Sequence, residues 1–129
     1  MRKLAREAAF KLIYEYLFLK ETDSEQYKSV LESLEFTDND KDYVKKVVNG
    51  VIENFDFLID LIEKTDVNYK IDRIYKSDLA VILLSAFEQK FMDDIPRLVS
   101  INEAIEISKI YGTEKSPAFV NGVLTNIHL

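Results

Sequence analysis

Residues 100–124 read SINEAIEISKIYGTEKSPAFVNGVL, and this stretch decides the fold. Ser100 and Glu103 form an S-x-x-E pair, the pattern of a capping box at a helix start. Ile101, Ala104, Ile105 and Ile110, with Ile107 flanking them, then recur at helical spacing. Gly112 follows, where a closing helix favours a left-handed residue. Ser116 and Pro117 predict a second start, with a hydroxyl at the N-cap and a proline at the first helical position. The helix they open carries Phe119, Val120, Val123, Leu124 and Ile127. The pattern predicts a helical hairpin, and by itself no chemistry.

Working outward, the remaining segments are helical too. Ser77 is the expected cap of an apolar helix over residues 78–90, joined to the hairpin by a DDIP loop. Upstream, Val44, Val47, Val48, Val51, Ile52, Phe55, Leu58, Ile59 and Ile62 keep helical spacing to about residue 64. Thr37 or Asp38 caps that segment, Phe36 staples it, and Gly50 and Asn54 predict a bend or break inside it. Valine favours strands, but no period-two alternation accompanies it here. Asp23 or Ser24 caps a short helix bearing Tyr27, Val30, Leu31 and Leu34. A first helix over residues 3–19 buries Ala5, Ala8, Ala9, Leu12, Ile13, Tyr16 and Leu19. The polar residues 65–70 separate an N-terminal half (1–64) from a C-terminal half (71–129) of one all-α domain.

At 129 residues the chain is long enough for a core without staples. It has no Cys, hence no disulfide framework or thiolate site. No run approaches the roughly 18 apolar residues of a membrane span. The opening MRKLAREAAF carries charge where a secretory signal is apolar, so a cytoplasmic location is expected. The net charge of -6 argues against a nucleic-acid partner, but its distribution does not. Residues 1–20 hold Arg2, Lys3, Arg6, Lys11 and Lys20 against Glu7 and Glu15, a local +3. Arg2, Lys3 and Arg6 fall within about 100° of one another on a helical wheel, which predicts one solvated basic patch.

Catalytic groups are scarce. The single histidine, His128, stands next to the last residue. Asp38, Asp40 and Asp42 superficially match a calcium loop, but no glycine follows at the required place. There is no phosphate-binding glycine loop and no helical histidine pair. The expectation is a binding protein, with no enzymatic activity, metal or cofactor. Asn102, Glu103 and Asn121 suit either capping and inter-helix hydrogen bonds or ligand contact. Phe119, near Lys115 in the first turn of its helix, suits either the core or base stacking on single-stranded RNA.

Five blocks, in order, resemble the NusB family of transcription antitermination factors. They are AREAAFKLIYEY (5–16), VVNGVIENFDFLIDLI (47–62), DLAVILLSAFE (78–88), Ile95-Pro96, and INEAIEISKIYG with FVNGVL. The resemblance spans nearly the whole chain. It implies two small three-helix bundles packed side by side, about seven helices in all. It also implies assembly rather than catalysis, with the small-subunit ribosomal protein NusE and the boxA element of nascent rRNA transcripts as partners, within a transcription elongation complex. RNA contacts are expected on Arg2, Lys3, Arg6, Lys115 and Phe119, and partner-protein contacts on Tyr14 and Asp78. A homodimer stays open.

Two departures weaken the expected RNA affinity in the absence of the partner. The opening helix is sparser in arginine than is usual in the family. Leu79 and Leu83 stand where the family's D-R-x-I-L-R helix is basic. Similar domains precede the catalytic domain in some rRNA cytosine methyltransferases, an alternative that a chain ending at Leu129 does not favour. A helical protein-interaction module without RNA binding is the other alternative.

Overall fold

The computed structural model describes residues 2–21, 24–65 and 69–129. Along them run α1 (Arg2–Leu19), α2 (Glu25–Glu32), α3 (Asp38–Glu53), α4 (Phe55–Glu63), a 3-10 turn (Ile71–Arg73), α5 (Lys76–Phe91), α6 (Arg97–Tyr111) and α7 (Ser116–Asn126), with no strand among the described residues. Every residue of α5 from position 78 to 88 is buried. An apolar rod of this kind needs neighbours all round it. It packs against α1, α3 and α4, and with its remaining surface against α6 and α7. The helices thus form two mutually packed triplets, α1/α3/α5 and α5/α6/α7, which share α5. None of the helices is long and apolar enough to cross a membrane.

Several local expectations hold. Ser24, in extended backbone, accepts from Tyr27 N at the start of α2. Asp23, the other candidate cap, lies outside the described residues, as do residues 66–68 of the polar linker. Thr37 does the same for α3, accepting from Asp40 N. The break falls at Asn54, whose side-chain amide donates to Gly50 O at 2.8 Å. Gly50 itself is helical. It serves close approach, because an added Cβ would run into the Phe87 ring.

The hairpin that decides the fold is present, but its ends are made differently. Helix α6 begins at Arg97 behind Pro96, so Ser100 is inside the helix and caps nothing. Its hydroxyl turns inward and donates to Glu88 Oε1 at 2.7 Å. A buried carboxylate claims the hydroxyl whose oxygen would have been the acceptor in a capping box. Similarly, Ser77 is the second residue of α5, not its cap. Gly112 has φ -99, which is not left-handed. It is glycine because a Cβ there would meet the Ser116 side chain and the Ser108 carbonyl. Ser116 opens α7 from inside, and its Oγ accepts from Thr113 N at 2.9 Å, which closes the turn. Arg97 donates to the carbonyls of Leu124 and Ile127, taking up acceptors left free where α7 ends. Leu19, expected on the buried stripe of α1, is exposed, whereas Phe10 and Leu17 are buried; Leu34 and Ile110 are exposed as well.

Candidate nucleic-acid and partner interface

The three N-terminal cations do not form one solvated patch. Arg6 is buried, 4% exposed, in the seam between α1, α3, α5 and α6. Its Nε lies 2.8 Å from Glu88 Oε2, and its Nη1 lies 3.6 Å from Glu103. Tyr43 donates its hydroxyl to the same Glu88 oxygen. Burial works against the Arg6 charge, but Glu88, Tyr43 and Glu103 together outweigh it and hold the guanidinium above its ordinary value. The expectation that Arg6 is solvated is therefore overturned. A helical wheel gives angle but not depth, and the wheel position of Arg6 faces the core, between Ala5 and Ala9. Arg2 is half-buried, its guanidinium 4.3 Å from the Tyr43 ring centroid, with a buried Nε that has no partner among the described residues. Lys3 alone of the three is exposed, on a rim shared with Glu103 and Glu106.

Three other expected residues do converge. Lys115, Phe119 and Asp78 line one cavity of about 450 Å³ between the starts of α5 and α7. The 3-10 turn brings Arg73 to its rim, and Tyr75 precedes α5 there. The Thr113–Ser116 turn is pinned by the Ser116 hydroxyl and by Thr113 Oγ1, which accepts from Lys115 N at 3.2 Å. Phe119 is half-buried, forms a T-shaped pair with Tyr69 at 5.5 Å between centroids, and lines the cavity. Asp78 is 4% exposed, and its Oδ1 is buried without a hydrogen-bond partner among the described residues.

Tyr14 lies on a different surface, an aromatic ladder along α1. Phe10 stacks on Tyr14 at 6.1 Å and meets Tyr111 in a tilted pair at 5.0 Å, and Tyr14 and Phe18 form a T-shaped pair at 5.0 Å. Tyr14 and Phe18 are exposed, as are Lys11, whose Nζ lies 5.5 Å from the Tyr111 ring, and Lys76, at the same distance from Phe18. Lys76 opens α5 beside Tyr75, so the ladder and the cavity adjoin. Tyr111 donates to Glu7, which with partial burial raises its phenol above the ordinary value. Sequence reasoning missed Phe18, Arg73, Tyr75 and Lys76. The i, i+4, i+8 spacing of Phe10, Tyr14 and Phe18 was a readable signal. Arg73 and Tyr75 carried none, because only the fold places them against α7.

Known proteins share this fold. The model of the NusB family matches residues 3–129. The transcription antitermination protein NusB of Acetivibrio thermocellus is 40% identical over 126 residues, covering 98% of this chain and 87% of its own. That of Clostridium novyi is 41% identical over 128 residues, covering 98% and 96%. The structure of T. maritima NusB superposes with a TM-score of 0.85 at 33% identity, over 97% of this chain and 88% of that one. A structure of the antitermination factors NusB and NusE in complex with dsRNA gives 0.84 at 28% identity, over 96% and 92%. Fold and likeness define a helical protein of the transcription antitermination class. This chain belongs to the NusB family.

Proposed function

We propose that this protein binds boxA-type RNA of nascent rRNA transcripts together with a NusE-type ribosomal protein, and so joins the transcription elongation complex in the cytoplasm. The observation that carries the reading is the cavity that gathers Lys115 and Phe119 beside the exposed ladder of Tyr14 and Phe18. A cation and a half-buried aromatic ring in a cavity wall suit an unpaired base, and an exposed aromatic stripe suits a protein partner. The likeness to a structure that contains NusB, NusE and RNA supports both halves.

The RNA surface comprises Lys3, Lys115 and Phe119, extended by Arg73, Lys76 and Lys11, with Arg2 at its edge. Arg6 is left out, because its guanidinium is committed to Glu88 and Glu103. Tyr14 and Phe18 belong to the protein partner, and Asp78 lies in the wall of the adjoining cavity. With so few free cations, phosphate contacts are sparse, and each adds about 0.7 to the salt slope on single-stranded RNA. The test is fluorescence binding of a boxA RNA with and without NusE. Binding that strengthens with the partner supports the reading. Partner binding with no RNA binding in either arm would leave a protein-interaction module instead.

A further inference from the structure

The two arginines of α1 are held in different ways. Arg6 is committed to Glu88 and Glu103, whereas Arg2 forms no ion pair among the described residues. What holds Arg2 is a ring: its guanidinium carbon lies 4.3 Å from the Tyr43 centroid. That ring is fixed in turn. Tyr43 is 3% exposed, and its hydroxyl donates to Glu88 Oε2, an oxygen already bound by Arg6. Glu88 is itself fully buried, and its other oxygen accepts from Ser100. The network that joins α1, α3, α5 and α6 therefore ends on the face of a ring that carries a half-buried arginine.

We propose that Tyr43 is a positioning residue for RNA: it holds Arg2 against its ring so that the free end of the guanidinium is presented to a phosphate. The proposal rests on the RNA reading above and deepens it, because it gives a role to a side chain buried away from any RNA. A ring face attracts a guanidinium through its π electrons without supplying an anion. The planar fork then keeps its charge and its in-plane donors for a phosphate. Arg2 Nε is buried, so the terminal nitrogens are the ones that meet the anion. A mobile arginine loses rotamer freedom when RNA immobilises it, and one already held on a ring loses less. On a surface with so few free cations, the placement of each one counts.

The experiment is a double-mutant cycle read on boxA RNA with NusE present, by fluorescence titration at several salt concentrations, with melts run alongside. Arg2→Ala should lower the salt slope by about 0.7, the share of one phosphate contact on single-stranded RNA. Tyr43→Leu leaves that charge and should keep the slope, but should weaken binding about threefold to tenfold, from the ordering of one long side chain. In the Arg2→Ala background the same change should cost no affinity. Tyr43→Phe keeps the ring and should retain most of the affinity, although it loses the bond to Glu88. Ser100→Ala loosens the network at the other Glu88 oxygen, so it should lower the melting temperature and leave the RNA affinity of the folded protein unchanged. A second measurement needs no RNA: in the ¹⁵N-labelled chain the Arg2 Nε–H signal should be shifted upfield by the ring. The shift should persist in Tyr43→Phe and vanish in Tyr43→Leu, and the parent spectrum decides even if Tyr43→Leu does not fold. Equal losses for Tyr43→Leu with and without Arg2 overturn the proposal. So does an Arg2 signal that the ring does not shift, or a Ser100→Ala variant that loses RNA affinity as Tyr43→Leu does. Those results leave the RNA reading standing. Absence of boxA binding both to the protein and to its complex with NusE overturns the two together.

Discussion

Arg6 Nε lies 2.8 Å from Glu88 Oε2, and neither side chain reaches solvent. Around this pair Tyr43 and Ser100 also donate to Glu88, so α1, α3, α5 and α6 meet on one carboxylate. The Glu88 charge is matched by a cation and two hydroxyls, the condition under which a buried ion pair is tolerated. The same contact takes Arg6 out of the solvent-facing surface and sets the depth of α1 against α5.

Arg6→Ala should therefore unfold the protein more easily. Breaking a buried pair leaves a lone charge and costs about 3–5 kcal/mol. Urea melts of Arg6→Ala, Glu88→Ala and the double variant measure it, and the double variant should lose clearly less than the two singles added together. A midpoint for Arg6→Ala within error of the parent would show that the pair does not hold the helices.

The Tyr43 phenol is pushed well above its ordinary value, first by burial and then by the neighbouring Glu88. A group with a raised folded value stabilises the fold in full below its unfolded value, about pH 10, and this contribution is lost as pH rises beyond that. The urea midpoint should fall from about pH 9 towards about pH 11. Tyr43→Phe should be less stable at neutral pH and show a shallower fall. If the two pH profiles ran parallel, Tyr43 would have no part in the alkaline loss.

Gly50→Ala tests close packing against helix propensity. Alanine should gain about 1 kcal/mol in a helix interior. Here its Cβ would run into Phe87, itself buried and unable to swing away freely. Overpacking should win, for a net loss of up to about 2 kcal/mol. Adding Phe87→Leu to Gly50→Ala should cost less than Phe87→Leu costs in the parent. A stabilised Gly50→Ala would contradict the packing at this crossing.

Phe119→Ala separates RNA binding from folding. The ring is half-buried, so truncation should cost less than the roughly 3–5 kcal/mol of a full core phenylalanine. RNA affinity should fall by about 1–3 kcal/mol if a base stacks on it. A melt and an RNA titration run together decide the matter. A large loss of stability with unchanged affinity of the folded fraction would make Phe119 a packing residue.

Helical periodicity made α1, α3, α5 and the hairpin legible, because apolar spacing survives whatever tertiary partners a helix finds. Caps were legible at Ser24 and Thr37, where a local hydroxyl meets a local amide. They were misread at Ser100 and Ser116, where a residue distant in sequence or a neighbouring turn claims the hydroxyl. The interface was legible only in part. Lys115 and Phe119 were found through adjacency, and Arg6 was misplaced because its partner lies 82 residues away. Arg73 and Tyr75 had no local signal, since the cavity they line exists only once α5 and α7 have packed.

The central position of α5 has a consequence for how the protein can vary. An ordinary surface helix offers a tolerant face, so substitutions along it are accepted with a 3.6-residue rhythm. Positions 78–88 offer no such face. A saturation scan scored by abundance in cells should therefore show an intolerant block from residue 79 to 88, with no rhythm. Only Asp78 should accept change, to asparagine for example, because it alone sits at the mouth of a cavity without a partner. Variation along this helix would then be confined to the tip of that rod and the turns around it.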